Sequence, residues 1–326
     1  MILHLGLFVV GFLMLYYGAG WLVKGSSSLA RSMGLTPLVI GLTVVAFGTS
    51  APELLVSVVS SIKGKSMIAL GNVIGSNICN IALILGLSAL IQPIKGDRSV
   101  IRRDIPIMLG VSFYLLLISL NSEIGRIEGA SLLVGIVLYT GFNYYIAVKE
   151  TQNKIHDENV VFVHAAEGIE YITSRTRQVV WITTGIIVVV VGAEILIDAA
   201  VVIMKTFGVS EKFIGLTIVA LGTSLPELAT SVVAALKKEM DISIGNLVGS
   251  NVFNILSVLG AAALVKPIPI PSGFVQSGLL IDYLFMMFVS FLPWLMMRKT
   301  CVVTRKDGVV LISCYAGYIL YLLIKT

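Results

Sequence analysis

GLTVVAFGTSAPELLVS at residues 41–57 returns as GLTIVALGTSLPELATS at 215–231, and GNVIGSNICNI at 71–81 returns as GNLVGSNVFNI at 245–255. Both recurrences share one offset, 174 positions (215 against 41, 245 against 71), which also carries Gly18-Ala19 onto Gly192-Ala193 and Pro93 onto Pro267. Chance similarity of apolar sequence would not hold register through so many polar positions, so the chain is two copies of one unit.

The surroundings of these motifs set the solvent. Of the 326 residues, 57% are hydrophobic and only 13% charged, a composition for a bilayer rather than for water. Windows of roughly 20 apolar residues fall at 2–23, 35–62, 67–91, 105–120, 127–148, 179–203, 209–236, 242–265, 276–297 and 308–324. The expected fold is therefore an all-α membrane protein of ten transmembrane helices. Residues 1–148 form the first five-helix repeat, 149–178 a cytoplasmic linker, and 179–326 the second repeat. Five is odd, so the second copy enters the membrane from the opposite side and the repeats are inverted.

Charge orients the whole. With alternating spans, one face collects 16 of the 23 lysines and arginines, among them Lys24, Arg31, Arg102, Arg103, Lys237, Lys238, Arg298 and Lys299. The positive-inside rule makes that face cytoplasmic and puts both termini outside a plasma membrane. The formal net charge of +5 is thus a topology signal and not a nucleic-acid patch. Residues 2–23 lack the basic start of a signal peptide and read as a retained span. Cys79, Cys301 and Cys314 are scattered and odd in number, and read as reduced structural residues.

Glu53 and Glu227 lie inside the second and seventh spans, where an ionised carboxylate costs at least about 2.5–3.5 kcal/mol on insertion scales. Their equivalence under the repeat supplies a reason: two carboxylates from oppositely oriented helices can meet near the midplane and balance one divalent cation. A pair of acids that is simply protonated is the plainer alternative, and it leaves the symmetry unexplained. Each glutamate follows a proline, Pro52 or Pro226. Neither proline has an N–H for the carbonyl four residues back, at Gly48 or Gly222, so both spans should kink or break there. Carbonyls of Ala46, Phe47 and Gly48, and of Ala220, Leu221 and Gly222, become available beside the hydroxyls of Thr49, Ser50, Thr223 and Ser224. Hard cations take such all-oxygen shells.

The second motif adds neutral groups. Ser76 and Asn80 are four apart, as are Ser250 and Asn254, so each pair shares a helix face and can complete a cation shell without charge. Asn72, Asn77, Asn246 and Asn251 fit ligation and helix–helix bonding equally well. Glu194, Asp198 and Asp282 have no acidic counterpart in the other repeat and read as gating or packing residues.

On GTSAPEL at 48–54 and GTSLPEL at 222–228 the chain resembles the cation/Ca2+ exchanger superfamily, particularly prokaryotic Na+/Ca2+ exchangers. The resemblance implies that spans 2, 3, 7 and 8 form an ion-binding core against which spans 1 and 6 slide. It gives Glu53 and Glu227 the Ca2+ carboxylate role, with oxygens from Thr49 and Thr223. Around them, Na+ would use the carbonyls of Ala46 and Ala220 and the side chains of Ser50, Ser76, Asn80, Ser224, Ser250 and Asn254. It also implies no cofactor, since Ca2+ and Na+ are the transported substrates, and leaves oligomeric state open. Potassium-dependent members typically carry Asp at the position of Asn254, so K+-independent exchange is expected. Proton-coupled relatives usually show Asn-Ala before the glutamate, which makes H+/Ca2+ exchange the second reading. A channel would need no fused inverted repeat. An enzyme is not expected, because there is no HExxH, no nucleophile elbow and no histidine near the motifs.

Overall fold

The structure, a computed structural model, describes residues 2–156, 172–208, 220–271 and 273–325. It is built almost entirely of helices: α1 (Ile2–Ser32), α2 (Pro37–Thr49), α3 (Ala51–Ile62), α4 (Ser66–Ile91), α5 (Ile105–Ser119), α6 (Arg126–His156), α7 (Arg175–Thr206), α8 (Leu225–Leu236), α9 (Met240–Val265), α10 (Leu279–Thr300) and α11 (Arg305–Lys325). Among the described residues seven helices are long and apolar enough to cross a membrane, and the α2–α3 pair, bent by 46°, makes an eighth. The fifteen residues of α5 are short, but five further residues wound as a π turn, Val100–Asp104, lead directly into it. Of the expected span 209–236, residues 209–219 lie outside the described ones. The rest is a helical turn, Ala220–Gly222, followed by α8.

Helix ends overrun the apolar windows. α1 continues to Ser32, α6 to His156, and α7 starts at Arg175, because a helix keeps its backbone bonds in water after the hydrocarbon has ended. Of the interval 149–178, residues 149–156 and 175–178 are helical, and residues 157–171 are outside the described residues.

Burial divides the helices into a centre and a rim. The most apolar stretches of α4 and α9 are 72% and 78% buried, while those of α1, α7 and α11 are 22%, 28% and 17% buried. α4 and α9 carry the second motif of each half, so the repeated polar residues sit at the centre of the protein. The rim exposes Phe8, Phe12, Val137, Ile187 and Leu320, side chains suited to lipid. On that rim α1 and α7 pack backbone to backbone. A Cβ at Gly185 would stand 2.6 Å from the Leu22 amide nitrogen, and one at Gly11 2.8 Å from the Gly192 carbonyl. Small residues permit this approach. Lys237, in the turn after α8, ties α1 to the centre by donating from Nζ to the Gly20 carbonyl (3.0 Å). Burial, and then the neighbouring Lys24, hold that ammonium below its ordinary pKa.

Two antiparallel pairs of two-residue strands stitch the halves together. β1 (Ile94–Lys95) pairs with β4 (Val302–Val303), and β2 (Glu123–Ile124) pairs with β3 (Ile268–Pro269). β1 and β3 are repeat equivalents at the 174 offset, and each joins a strand of the opposite half. α3 and α8 also end alike. Lys65 N–H bonds the Ser60 carbonyl and Gly64 N–H that of Ser61, while Glu239 bonds Ala234 and Lys238 bonds Ala235. This closing motif needs a left-handed residue, which is Gly64 in one half (φ +70) and Lys238 in the other (φ 61).

Candidate cation site

Both prolines act as expected, and the helix breaks just before them. Ser50 (φ −81, ψ 8) and Ser224 (φ −87, ψ 5) leave helical geometry, and α3 and α8 restart with Pro52 and Pro226 in their first turn, where a missing N–H costs nothing. The Gly48 and Gly222 carbonyls lose their helical partner to the same prolines. Ala46 is less free than the resemblance implies, since its carbonyl accepts from Ser50 N–H (3.0 Å) and from Thr49 Oγ1 (3.4 Å). Ala220 lies in the helical turn Ala220–Gly222, next to residues 209–219 that are outside the described ones.

The breaks bring the two glutamates into one polar centre. Both are fully buried. Glu53 Oε1 accepts from Ser76 of its own half (3.4 Å) and from Ser224 of the other (3.4 Å). Glu227 Oε1 accepts from Ser250 of its own half (3.4 Å) and from Ser50 of the other (3.0 Å). Thr49 Oγ1 donates to Asn246 Oδ1 (3.1 Å), and Thr223 Oγ1 to Asn72 Oδ1 (3.2 Å). Thus Glu53, Ser76, Thr223 and Ser224 form one hydrogen-bonded set, and Glu227, Ser250, Thr49 and Ser50 form the matching one.

Asn80 of α4 and Asn254 of α9 are fully buried, and each donates from Nδ2 to an asparagine of the opposite half, Asn251 (3.0 Å) and Asn77 (3.1 Å). Both begin or enter π-helical stretches, Cys79–Leu85 and Asn254–Leu259, a winding that often marks functional sites. The other four asparagines brace helices. Asn72 Nδ2 donates to Ser57 Oγ (2.9 Å) and to the Glu53 carbonyl (3.3 Å), and Asn246 repeats this with Ser231 (3.0 Å) and the Glu227 carbonyl (3.5 Å). Ser57 and Ser231 do not stand out in the sequence as site residues, although they are equivalent under the 174 offset and fully buried. Asp282 accepts from Tyr318 Oη (3.1 Å), a contact between α10 and α11, while Glu194 and Asp198 lie exposed on α7.

Four buried oxygens of this centre have no hydrogen-bond partner among the described residues: Glu53 Oε2, Glu227 Oε2, Asn80 Oδ1 and Asn254 Oδ1. Leaving such atoms unsatisfied is costly in a protein interior. Two carboxylates, two asparagine oxygens and a surround of hydroxyls are the donor types a hard cation takes. Among the described residues no three or more His, Cys, Asp and Glu side chains are grouped to hold a metal ion, so this centre offers only two carboxylates beside its neutral oxygens.

The family described as sodium/calcium exchanger protein matches residues 3–145 and 177–324 of this chain. A curated relative, the putative antiporter CaxA of Alkalimonas amylolytica, is 35% identical over 314 residues, covering 95% of each chain. The inner membrane protein YrbG of Escherichia coli (strain K12) is 37% identical over 270 residues, 82% of this chain and 81% of that one. Among solved structures, the sodium-calcium exchanger NCX_Mj soaked with zero Na+ and Ca2+ superposes with a TM-score of 0.82. It is 32% identical and covers 98% of this chain and 99% of its own.

Proposed function

The chain belongs to the sodium/calcium exchanger protein family, and on that premise we propose that it is an antiporter exchanging Na+ for Ca2+ by alternating access. The observation that carries this reading is the pair of fully buried glutamates, each hydrogen-bonded to a serine of the opposite half and each keeping one oxygen without a partner among the described residues. Ca2+ would take Glu53 and Glu227 with Thr49 and Thr223. Na+ would take the same carboxylates with the Ala46 and Ala220 carbonyls, Ser50, Ser76, Asn80, Ser224, Ser250 and Asn254.

The strand pairs support ten spans. Paired strands lie on one side of the membrane. β3 and β4 are separated by α10 alone, so the two pairs lie on opposite sides. β1 and β2 are then also on opposite sides, which requires α5, with its preceding π turn, to cross. Between β2 and β3 the chain passes through α6, α7, the stretch ending in α8, and α9. Returning to the starting side takes an even number of crossings, so the stretch ending in α8 contributes one. Five spans per half make the repeats inverted, and the lysine and arginine bias faces both termini outward.

Alternation follows from charge. Two glutamates emptied of cation cannot be carried cheaply through a dry interface, so only loaded states cross. The glycine-packed α1–α7 pair is a unit that can shift against the centre, with Lys237 bonded to α1 at Gly20. Exchange of more than two Na+ per Ca2+ moves net charge, and each such charge feels about 2.3 kcal/mol per 100 mV. Negative-inside potential with inward Na+ then drives Ca2+ out. Asn254 in place of Asp makes the exchange K+-independent. Glu53→Gln and Glu227→Gln test the assignment: each should abolish Ca2+ uptake into liposomes while the purified protein stays folded. Uptake retained in both would remove it.

A further inference from the structure

We propose that Asn77 and Asn251 are positioning residues that lock the amides of Asn254 and Asn80 with their oxygens toward the cation site. This rests on the cation-site reading above. It starts from atoms whose role is not open to choice: main-chain carbonyls, which only accept hydrogen bonds. Asn77 Nδ2 donates to the Asn251 carbonyl (3.3 Å), and Asn251 Nδ2 donates to the Asn77 carbonyl (3.4 Å). The two asparagines, 174 positions apart, thus clasp each other's backbone across the α4–α9 contact.

That clasp fixes everything downstream. With each Nδ2 committed to a carbonyl, each Oδ1 is turned the other way and can only accept. Asn77 Oδ1 accepts from Asn254 Nδ2 (3.1 Å), and Asn251 Oδ1 accepts from Asn80 Nδ2 (3.0 Å). The amides of Asn80 and Asn254 therefore spend their N–H groups backward, and their Oδ1 atoms are the ones left without a partner among the described residues, as are Glu53 Oε2 and Glu227 Oε2. Turning the Asn254 amide over would set Oδ1 against Asn77 Oδ1, acceptor against acceptor, and would offer a cation two N–H groups. An amide is chemically two-faced; the Asn-X-X-Asn string, present as Asn77/Asn80 and as Asn251/Asn254, makes it one-faced.

The test exploits a side chain that has no wrong face. Asn77→Leu removes the acceptor that orients Asn254. In an otherwise unchanged chain it should weaken Ca2+ binding, read by calorimetric titration of Ca2+ into the purified full chain, on the order of tenfold, the effect of one hydrogen bond. In an Asn254→Asp background the side chain presents oxygen at either face. There the same Asn77→Leu change removes an acceptor that only faces another acceptor, so it should cost no Ca2+ affinity, and the two substitutions are strongly coupled. An equal loss in both backgrounds would show that Asn77 only packs, and would overturn the proposal. Asn251→Leu with Asn80→Asp is the mirror experiment, available if the first pair does not fold. Failure of the unsubstituted chain to bind Ca2+ at all would instead strike the cation-site reading, so the two failures are told apart.

Discussion

Ser50 Oγ donates to Glu227 Oε1 across 3.0 Å, joining residues 177 apart in sequence and in opposite repeats. Ser224 does the same for Glu53 at 3.4 Å. Each half therefore holds the other half's carboxylate. Hydrogen bonds to charged groups are worth about 1.5–3 kcal/mol, so Ser50→Ala and Ser224→Ala should each weaken Ca2+ binding by roughly tenfold to a hundredfold. Calorimetric titration of the purified variants checks this, and unchanged affinity in both would mean that the cross-repeat bonds are incidental.

The α1–α7 contact is sensitive to a single methyl group. A Cβ at Gly185 would sit 2.6 Å from the Leu22 nitrogen, which is backbone and cannot swing away. Gly185→Ala should lower stability by about 1–3 kcal/mol, the usual cost of overpacking, read as a lower midpoint of thermal inactivation in detergent. Its Ca2+ affinity should be retained, because among the described residues none of the hydrogen bonds given above for the site involves α1 or α7.

Lys238 closes α8 in a left-handed conformation that glycine fills at the equivalent position, Gly64. Lys238→Gly should raise stability by about 0.5–1 kcal/mol, because a side chain at positive φ is strained and glycine is not. A higher midpoint in the same thermal assay is the expected result.

Topology has its own check. A reporter fused to the C-terminus should be active outside the cytoplasm. A cytoplasmic reporter would invert the orientation read from the lysine and arginine bias, while leaving the strand-pair parity intact.

Much of this molecule is legible in its sequence because its strongest signals are local. The 174-residue offset pairs Glu53 with Glu227, and proline chemistry marks Ser50 and Ser224 as the places where helices break. The direction of an amide is different: the spacing from Ser76 singles out Asn80, but that Asn77 Nδ2 meets the main-chain carbonyl of Asn251 while Asn80 Nδ2 meets its side-chain oxygen is visible only in the fold. Ser57 and Ser231 pass unnoticed for the same reason, since a serine in an apolar helix is ordinarily bonded to its own backbone. The two-residue strands carry too little pattern to be seen before the loops that hold them are brought together.

The central claim is that these buried oxygens carry Ca2+ one way against Na+ the other. The most direct measurement is uptake of radioactive Ca2+ into liposomes holding the purified full chain, loaded with Na+, with K+ or with acidic buffer and diluted into Na+-free medium. Uptake driven by internal Na+ alone, and lost in Glu53→Gln, is the result expected. Uptake driven by the proton gradient with none from Na+ would contradict it and make the protein an H+/Ca2+ exchanger.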